Sequence, residues 1–438
     1  MREGFGPGRR ATLLAGIALA TLGAAGTAQA SGFALLEQSA AYQGASYAGS
    51  AARSDDPSTL FYNPAGMTQL PGYQISINGS FIDPDAYLHS GSATTLAGTP
   101  AGGNVGHDAG EAVLLPSLYA TAEVAPNWHV GLAITSPFGL ATKYNTDSIA
   151  RYNALTTSLT TYNFAPSVAW QPLPELSIAA ALRVEIADAR LSQGVDFGTV
   201  GYAHGIPGYY PGLHDGISSM KGNDTAVGWQ IGALYTPLPG TKVGFDYRSP
   251  IFHSLSGSIA FQNAGVLAPA FAGGPATAKV VTPDTFSLSL AQDVGRVTLL
   301  AGIDYTLWSR FKDLEINYVG GPSPSVIQEN WNNTVMFSAG ADWRVTDSVT
   351  LRSGAAMDLT PVKDAYRNAG IPDSNRYWLS VGGTWKPIPR LALSAAYSHL
   401  FMDTAKIDLS GQPGISTGLL ANYNNQINIL SMEATLAF

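Results

Sequence analysis

The chain ends in QINILSMEATLAF, residues 426–438. On an extended chain Leu430, Met432, Ala434, Leu436 and Phe438 share one face, and Ser431, Glu433 and Thr435 share the other. Side chains of a strand alternate with period two, so this segment reads as a β-strand with one apolar and one polar surface. The rhythm recurs upstream. In residues 296–308, RVTLLAGIDYTLW, Val297, Leu299, Ala301, Ile303, Tyr305 and Leu307 align opposite Asp304. In 241–249, TKVGFDYRS, Val243, Phe245 and Tyr247 oppose Asp246 and Arg248. In 339–345, AGADWRV, Ala339, Ala341, Trp343 and Val345 oppose Asp342 and Arg344. A soluble sandwich would turn the apolar face to a core. A membrane barrel would turn it to lipid and line its lumen with the polar face.

The connections distinguish the two. About fourteen strand-like segments begin near Tyr73, Val113, Trp128, Tyr162, Leu176, Ala226, Lys242, Asp284, Val297, Thr334, Val349, Arg376, Leu391 and Gln426. Every second connection is short, at 125–127, 171–175, 236–240, 293–296, 345–348 and 386–390. The others are long, as at 83–112, 193–224, 262–283 and 402–425. Short periplasmic turns alternating with long external loops are the pattern of bacterial outer-membrane barrels. Trp308, Trp343, Trp378, Trp385, Tyr397 and Phe401 lie towards strand ends, where interfacial aromatic girdles are expected. The terminal Phe438 resembles the assembly signal of many such barrels.

Composition agrees. Of 438 residues only 12% are charged, and Gly (48) and Tyr (20) are plentiful. Downstream of the N-terminal segment there is no run of about 18 apolar residues that could cross a membrane as a helix. Arg2, Arg9 and Arg10 precede a short apolar run, and Ala28-Gln29-Ala30 forms a small-residue cleavage site. Residues 1–30 therefore read as a signal peptide. The formal net charge is −8, and removing that segment makes it more negative, which argues against nucleic acid as a partner. Cysteine is absent, so no disulfide or thiolate site is possible.

Residues 31–72 show neither alternation nor a long amphipathic helix. They are rich in Gly, Ala and Ser and close on Asn63-Pro64-Ala65-Gly66, a turn-forming cluster. Phe33, Leu35, Leu36, Tyr42, Tyr47, Phe61 and Tyr62 make them too apolar for a disordered tail. A barrel of about fourteen strands leaves a lumen that its own side chains cannot fill. The expectation is an N-terminal hatch over 31–72, folded inside a barrel formed by 73–438. Within the third strand, alternation through Val130, Leu132 and Ile134 meets Ser136-Pro137-Phe138-Gly139 and resumes through Leu140, Thr142 and Tyr144. Proline cannot donate to a ladder, and glycine has no side chain to pack. These four residues are expected to break the pairing and turn inward, leaving a lateral opening in the wall.

With those segments in view, the chain resembles the FadL-type long-chain fatty acid transporters of Gram-negative outer membranes, whose relatives also import aromatic hydrocarbons. The resemblance rests on SGFALLEQS…GASYAGSAARSDDPSTLFYNPAGM (31–67), FIDPDAYLHSG (81–91), SPFGLATKYN (136–145), YRSPIFHSLSGSIAF (247–261), YTLWSRF (305–311) and IPDSNRYWLSVGGTW (371–385), in that order. It implies a fourteen-stranded antiparallel barrel with a hatch inside the lumen that includes Phe33, Asn63, Pro64 and Ala65. External loops would capture a hydrophobic ligand. Release would follow hatch rearrangement, sideways through the gap at 136–139, by passive diffusion. The implied setting is a monomer in outer-membrane lipid and lipopolysaccharide, needing no cofactor or metal.

Arg183, Glu185, Asp246, Arg248, Asp304, Asp342 and Arg344 fall on polar, inward faces. Arg183 and Arg248 are candidates to meet a ligand carboxylate, since a guanidinium fork fits one well. The same residues could instead pair with one another and brace the wall. The family's basic pocket position falls near Gln193, which is uncharged here. Most of the seven histidines lie in predicted loops and no His pair at metal-ligand spacing stands beside carboxylates, so an enzyme is not expected. An adhesin or phage receptor would use the long loops, but would need neither a hatch nor a wall break.

Overall fold

The alternating segments close into one antiparallel barrel of fourteen strands. The computed structural model describes residues 32–318, 324–410 and 417–438; the expected signal peptide, 1–30, lies outside the described residues. In chain order the strands are β1 (Tyr73–Thr94), β2 (Val113–Ala125), β3 (Trp128–Thr135, resuming as Gly139–Lys143), β4 (Thr156–Leu173) and β5 (Leu176–Asp196). Next come β6 (Asp215–Leu238), β7 (Thr241–Arg248 and Ile251–Gln262), β8 (Gly274–Thr282 and Thr285–Val294) and β9 (Val297–Thr306 and Asp313–Tyr318). The ring continues through β10 (Ser325–Gln328 and Thr334–Arg344), β11 (Val349–Asp358), β12 (Arg376–Ile388), β13 (Leu391–Met402 and Ala405–Asp408) and β14 (Leu419–Ala437). Each strand pairs with the next, and β1 closes the ring on β14 from Gln74↔Ala437 to Ala93↔Leu419.

The pleat sorts the two faces. On β1, Ile75, Ile77 and Phe81 point outward and are exposed, while Ser76, Asn78 and Ser80 point inward and are buried. The outward residues form the lipid face of an outer-membrane barrel, and the inward ones hydrogen-bond within the lumen. Several strands extend beyond the expected segments. β4, β6 and β14 start at Thr156, Asp215 and Leu419, well before Tyr162, Ala226 and Gln426. Polar residues continue these ladders outward, where a strand no longer needs an apolar face.

Two expected girdle residues turn inward. Trp343, Trp385, Tyr397 and Phe401 are exposed on the outer face, but Trp308 and Trp378 are buried. Trp378 falls on the inward phase of β12. Trp308 lies past the end of the first part of β9, in a 3-10 turn (Trp308–Arg310) that leaves the wall.

Residues 33–70 are almost wholly buried and reach strands around the ring. Ser39 Oγ donates to Glu433 of β14 (2.6 Å), Ser46 Oγ to Ser380 of β12 (2.7 Å), and Ala51 N to Ser289 of β8 (3.1 Å). Arg53 meets Asp342 of β10 (2.9 Å), and Thr68 meets Ser177 of β5 (2.7 Å). Small residues permit the close approach. A Cβ on Gly354 of β11 would stand 2.2 Å from the Ala45 carbonyl oxygen, and one on Gly244 of β7 would stand 1.8 Å from that of Ala51.

Candidate functional site

Asn63-Pro64-Ala65 is a joint of this inner segment. Asn63 caps the 3-10 helix Pro64–Gln69, its Oδ1 accepting from Ala65 N (3.0 Å). Proline at the first helical position lacks a donor that the helix would leave unpaired anyway. The Asn63 amide donates to the carbonyls of Ala51 (2.6 Å) and of Ala233 on β6 (2.9 Å). One side chain thus ties two parts of the inner segment to the wall. It sits against Gly232, where a Cβ would come within 2.0 Å of Asn63 Oδ1.

Strand β3 stops at Thr135 and resumes at Gly139. Between the pairs Leu118↔Ile134 and Gly110↔Thr142, β2 and β3 share no bridge among the described residues. The missing partner comes from the chain's N-terminal end. Ala34 forms an antiparallel bridge with Phe138, flanked by Leu35 N→Pro137 O (2.8 Å) and Gly139 N→Phe33 O (3.0 Å). Gln38 completes the join. Its Nε2 donates to Ser136 O (2.8 Å), and its Oε1 accepts from Ser117 Oγ of β2 (2.8 Å). The backbone groups on the β2 side of the break are therefore met by the inner segment, while Phe138 N donates to Thr161 Oγ1 of β4 (3.0 Å).

Phe33, in the middle of that join, is 4% exposed and sits in an aromatic cage. Its ring centroid lies 4.6 Å from Trp308, 5.6 Å from Trp331, 5.8 Å from Phe311 and 6.0 Å from Phe138. The cage exists because β9 and β10 both interrupt their ladders, at 307–312 and 329–333, and fold these aromatics into the lumen. Such edge-to-face rings add specific attraction to apolar burial.

Two cavities flank Phe33. One of about 200 Å³ runs along the β3 break, past Leu115, Phe138, Leu140 and Ile371. The other, of about 80 Å³, is almost wholly apolar and reaches Met220, Leu255, Ala278 and Phe311. A more polar vestibule of about 410 Å³, with Tyr152, Gln193, Asn368 and Glu329 in its lining, lies towards the external loops. Glu329 is held there by Trp331 Nε1 (2.8 Å) and Asn368 Nδ2 (3.0 Å).

Five charged residues line the 200 Å³ cavity; Glu37, Asp373 and Arg376 cluster on its inner side, and Asp85 and Glu111 are more exposed. Arg376 donates to Asp373 (2.9 Å) and to the Gly32 carbonyl (2.7 Å). Burial pushes the Glu37 carboxyl up to about 7, against a smaller lowering by its backbone hydrogen bonds and by Arg376. The two arginines singled out in the sequence lie elsewhere in the lumen. Arg183 pairs with Glu185 (3.6 Å) and donates to Ser249 O (3.2 Å). Arg248 pairs with Asp246 (3.5 Å), donates to Phe61 O (2.5 Å) and lies 4.0 Å above the Phe61 ring. Both are occupied by protein partners. Sequence reading missed Glu37, Gln38, Arg376 and the cage tryptophans. The polar stretch Glu37-Gln38-Ser39 within the otherwise apolar run GFALLEQSAAY (32–42) is the available signal.

Residues 21–438 match the model of the outer membrane protein transport family, OMPP1/FadL/TodX. The chain belongs to this family. An outer membrane protein of Neisseria meningitidis serogroup B is 30% identical over 456 residues, covering 96% of this chain and 97% of its own. The long-chain fatty acid transport protein of Escherichia coli K12 is 26% identical, covering 87% of this chain and 90% of its own. Among solved structures, a Pseudomonas aeruginosa FadL homologue superposes with a TM-score of 0.86 at 25% identity, over 93% of this chain and 100% of that one. Membership places the protein in the outer membrane, in a family that transports hydrophobic compounds and is not enzymatic.

Proposed function

We propose that this protein takes up long-chain fatty acids or similarly apolar molecules by passive diffusion, with residues 31–72 acting as the hatch. One observation carries the reading. The segment that plugs the aromatic cage through Phe33 also seals the wall break through Ala34 and Leu35. A ligand that takes the cage must move Phe33, and moving Phe33 withdraws the hydrogen bonds that close the β2–β3 gap. Capture begins at external loops that expose Tyr202, Tyr210, Leu213 and Val266. Apolar burial drives the ligand inward, at about 0.8 kcal/mol per CH₂. Exit is lateral, between β2 and β3 at Ser136-Pro137-Phe138-Gly139, into the surrounding lipid and lipopolysaccharide. Every element of this route lies in one chain, which works as a monomer.

The test is a cross-link at the join. Ala34 and Phe138 form an antiparallel bridge flanked by the two hydrogen bonds, a non-hydrogen-bonded pair with closely spaced Cα atoms. Ala34→Cys with Phe138→Cys, oxidised in cells, stops uptake of a labelled long-chain fatty acid, and reductant restores it. Uptake at the wild-type rate in the oxidised form would remove the hatch from the mechanism.

A further inference from the structure

The wall is interrupted a second time, between β6 and β7. No bridge joins these strands between Asn223↔Ser256 and Gln230↔Arg248 among the described residues, although β6 stays paired to β5 throughout and β7 is paired to β8 again from Ile251 onward. The interruption begins at Ser249-Pro250, as the first begins at Ser136-Pro137. Each Ser-Pro pair starts eight residues after the first residue of an upward-running strand, Thr241 and Trp128 respectively. The two gaps therefore open at similar depth in the membrane.

One backbone hydrogen bond, Ser249 N→Trp229 O (2.9 Å), remains where the second gap begins, and side chains hold the rest of it shut. Ser249 Oγ accepts from Trp229 N (2.8 Å), Asp224 accepts from Ser254 N (3.0 Å), and Arg183 donates to Ser249 O (3.2 Å). His253 spans the gap from β7. Its Nδ1 lies 3.2 Å from Asp224 of β6, and its Nε2 lies 3.2 Å from Glu185 of β5. On the outer lips Val227 and Phe252 are 61% and 62% exposed. On the inner side Leu255, Met220 and Gly222 line the 80 Å³ apolar cavity that Phe33 also lines. A rotating side chain can release such a closure without unzipping strands, whereas bare unpaired backbone in hydrocarbon is costly.

We propose that the β6–β7 gap is a second lateral portal for the same apolar ligand, joining the cavity beyond Phe33 to the membrane, with His253 as its bolt. The proposal rests on the transport reading above. It makes Phe33 the branch point between two exits rather than the cover of one.

Locking each gap separately tests it. Leu114→Cys with Ala141→Cys bridges the first gap, and Val227→Cys with Phe252→Cys bridges the second. Both are closed by a bifunctional methanethiosulfonate reagent and reopened by reductant. Tyr235→Cys with Val243→Cys, on a paired stretch of the same two strands, controls for cross-linking as such. Fatty acid uptake should persist at a reduced rate with the first gap locked. It should fall to the level of cells lacking the protein only when both are locked. His253→Ala should raise uptake in the first-gap-locked background, with barrel assembly checked by heat-modifiable migration. If locking the first gap alone abolishes uptake, the second gap is a structural bulge and the portal is refuted while the transport reading stands. If the wild-type protein itself supports no uptake, the transport reading fails instead.

Discussion

Replacing Phe33 by alanine should unseat the hatch without dissolving the barrel. Phe33 contributes no wall ladder of its own, yet its ring is 4% exposed among four aromatic neighbours. Truncating a buried phenylalanine costs about 3–5 kcal/mol, because burial is lost and a cavity remains. In the displaced hatch that ring would leave the cage, so nearly all of the cost falls on the seated state. Taking the lower figure, about 3 kcal/mol, the seated-to-displaced ratio falls by roughly 150-fold. A single cysteine at Ala34, the residue bridged to Phe138, reports on this. Its labelling by a hydrophilic maleimide added to intact cells should quicken by about the same factor in Phe33→Ala. Phe33→Leu, which keeps most of the apolar volume, should show a much smaller change. Unchanged labelling in a barrel that assembles normally would show that the cage does not hold the hatch.

Glu37 should make hatch seating depend on pH. Its carboxyl is raised from 4.5 to about 7, so the seated state favours the protonated form, and seating weakens as pH rises through 7. From pH 6 to pH 8 the loss is about 1.4 kcal/mol, or tenfold; cysteine labelling at position 34, taken relative to Glu37→Gln at each pH, should rise by that factor, and a flat ratio would discount the group. Gly354→Val on β11 should let the barrel assemble but leave no room for the hatch, since even a Cβ there lies 2.2 Å from the Ala45 carbonyl oxygen. Cells carrying it should become sensitive to hydrophilic antibiotics, and unchanged sensitivity would mean that the hatch shifts to accommodate the side chain.

Local pattern determined much of this protein. Period-two alternation, as in Leu430 to Phe438, is a property of neighbouring residues and needs no knowledge of the fold. Short connections at 125–127, 236–240 and 293–296 set the strand order, because antiparallel neighbours need only a tight turn. Pro137 announced a break, since the lost donor is intrinsic to the residue. The site itself was decided by tertiary structure. The cage joins Phe33, Phe138, Trp308, Phe311 and Trp331 from separate stretches of chain, and nothing local indicates that Trp308 leaves the wall while Trp343 stays on it. Likewise the sequence leaves open whether Arg183 and Arg248 meet a ligand or brace the wall, until Glu185, Asp246 and Phe61 are placed beside them. Pro250 carries the same donor deficit as Pro137, but only the register on both sides shows a gap rather than a bend. A strand's two faces follow from the chain's own geometry, whereas what each inward residue meets depends on closure of the whole ring.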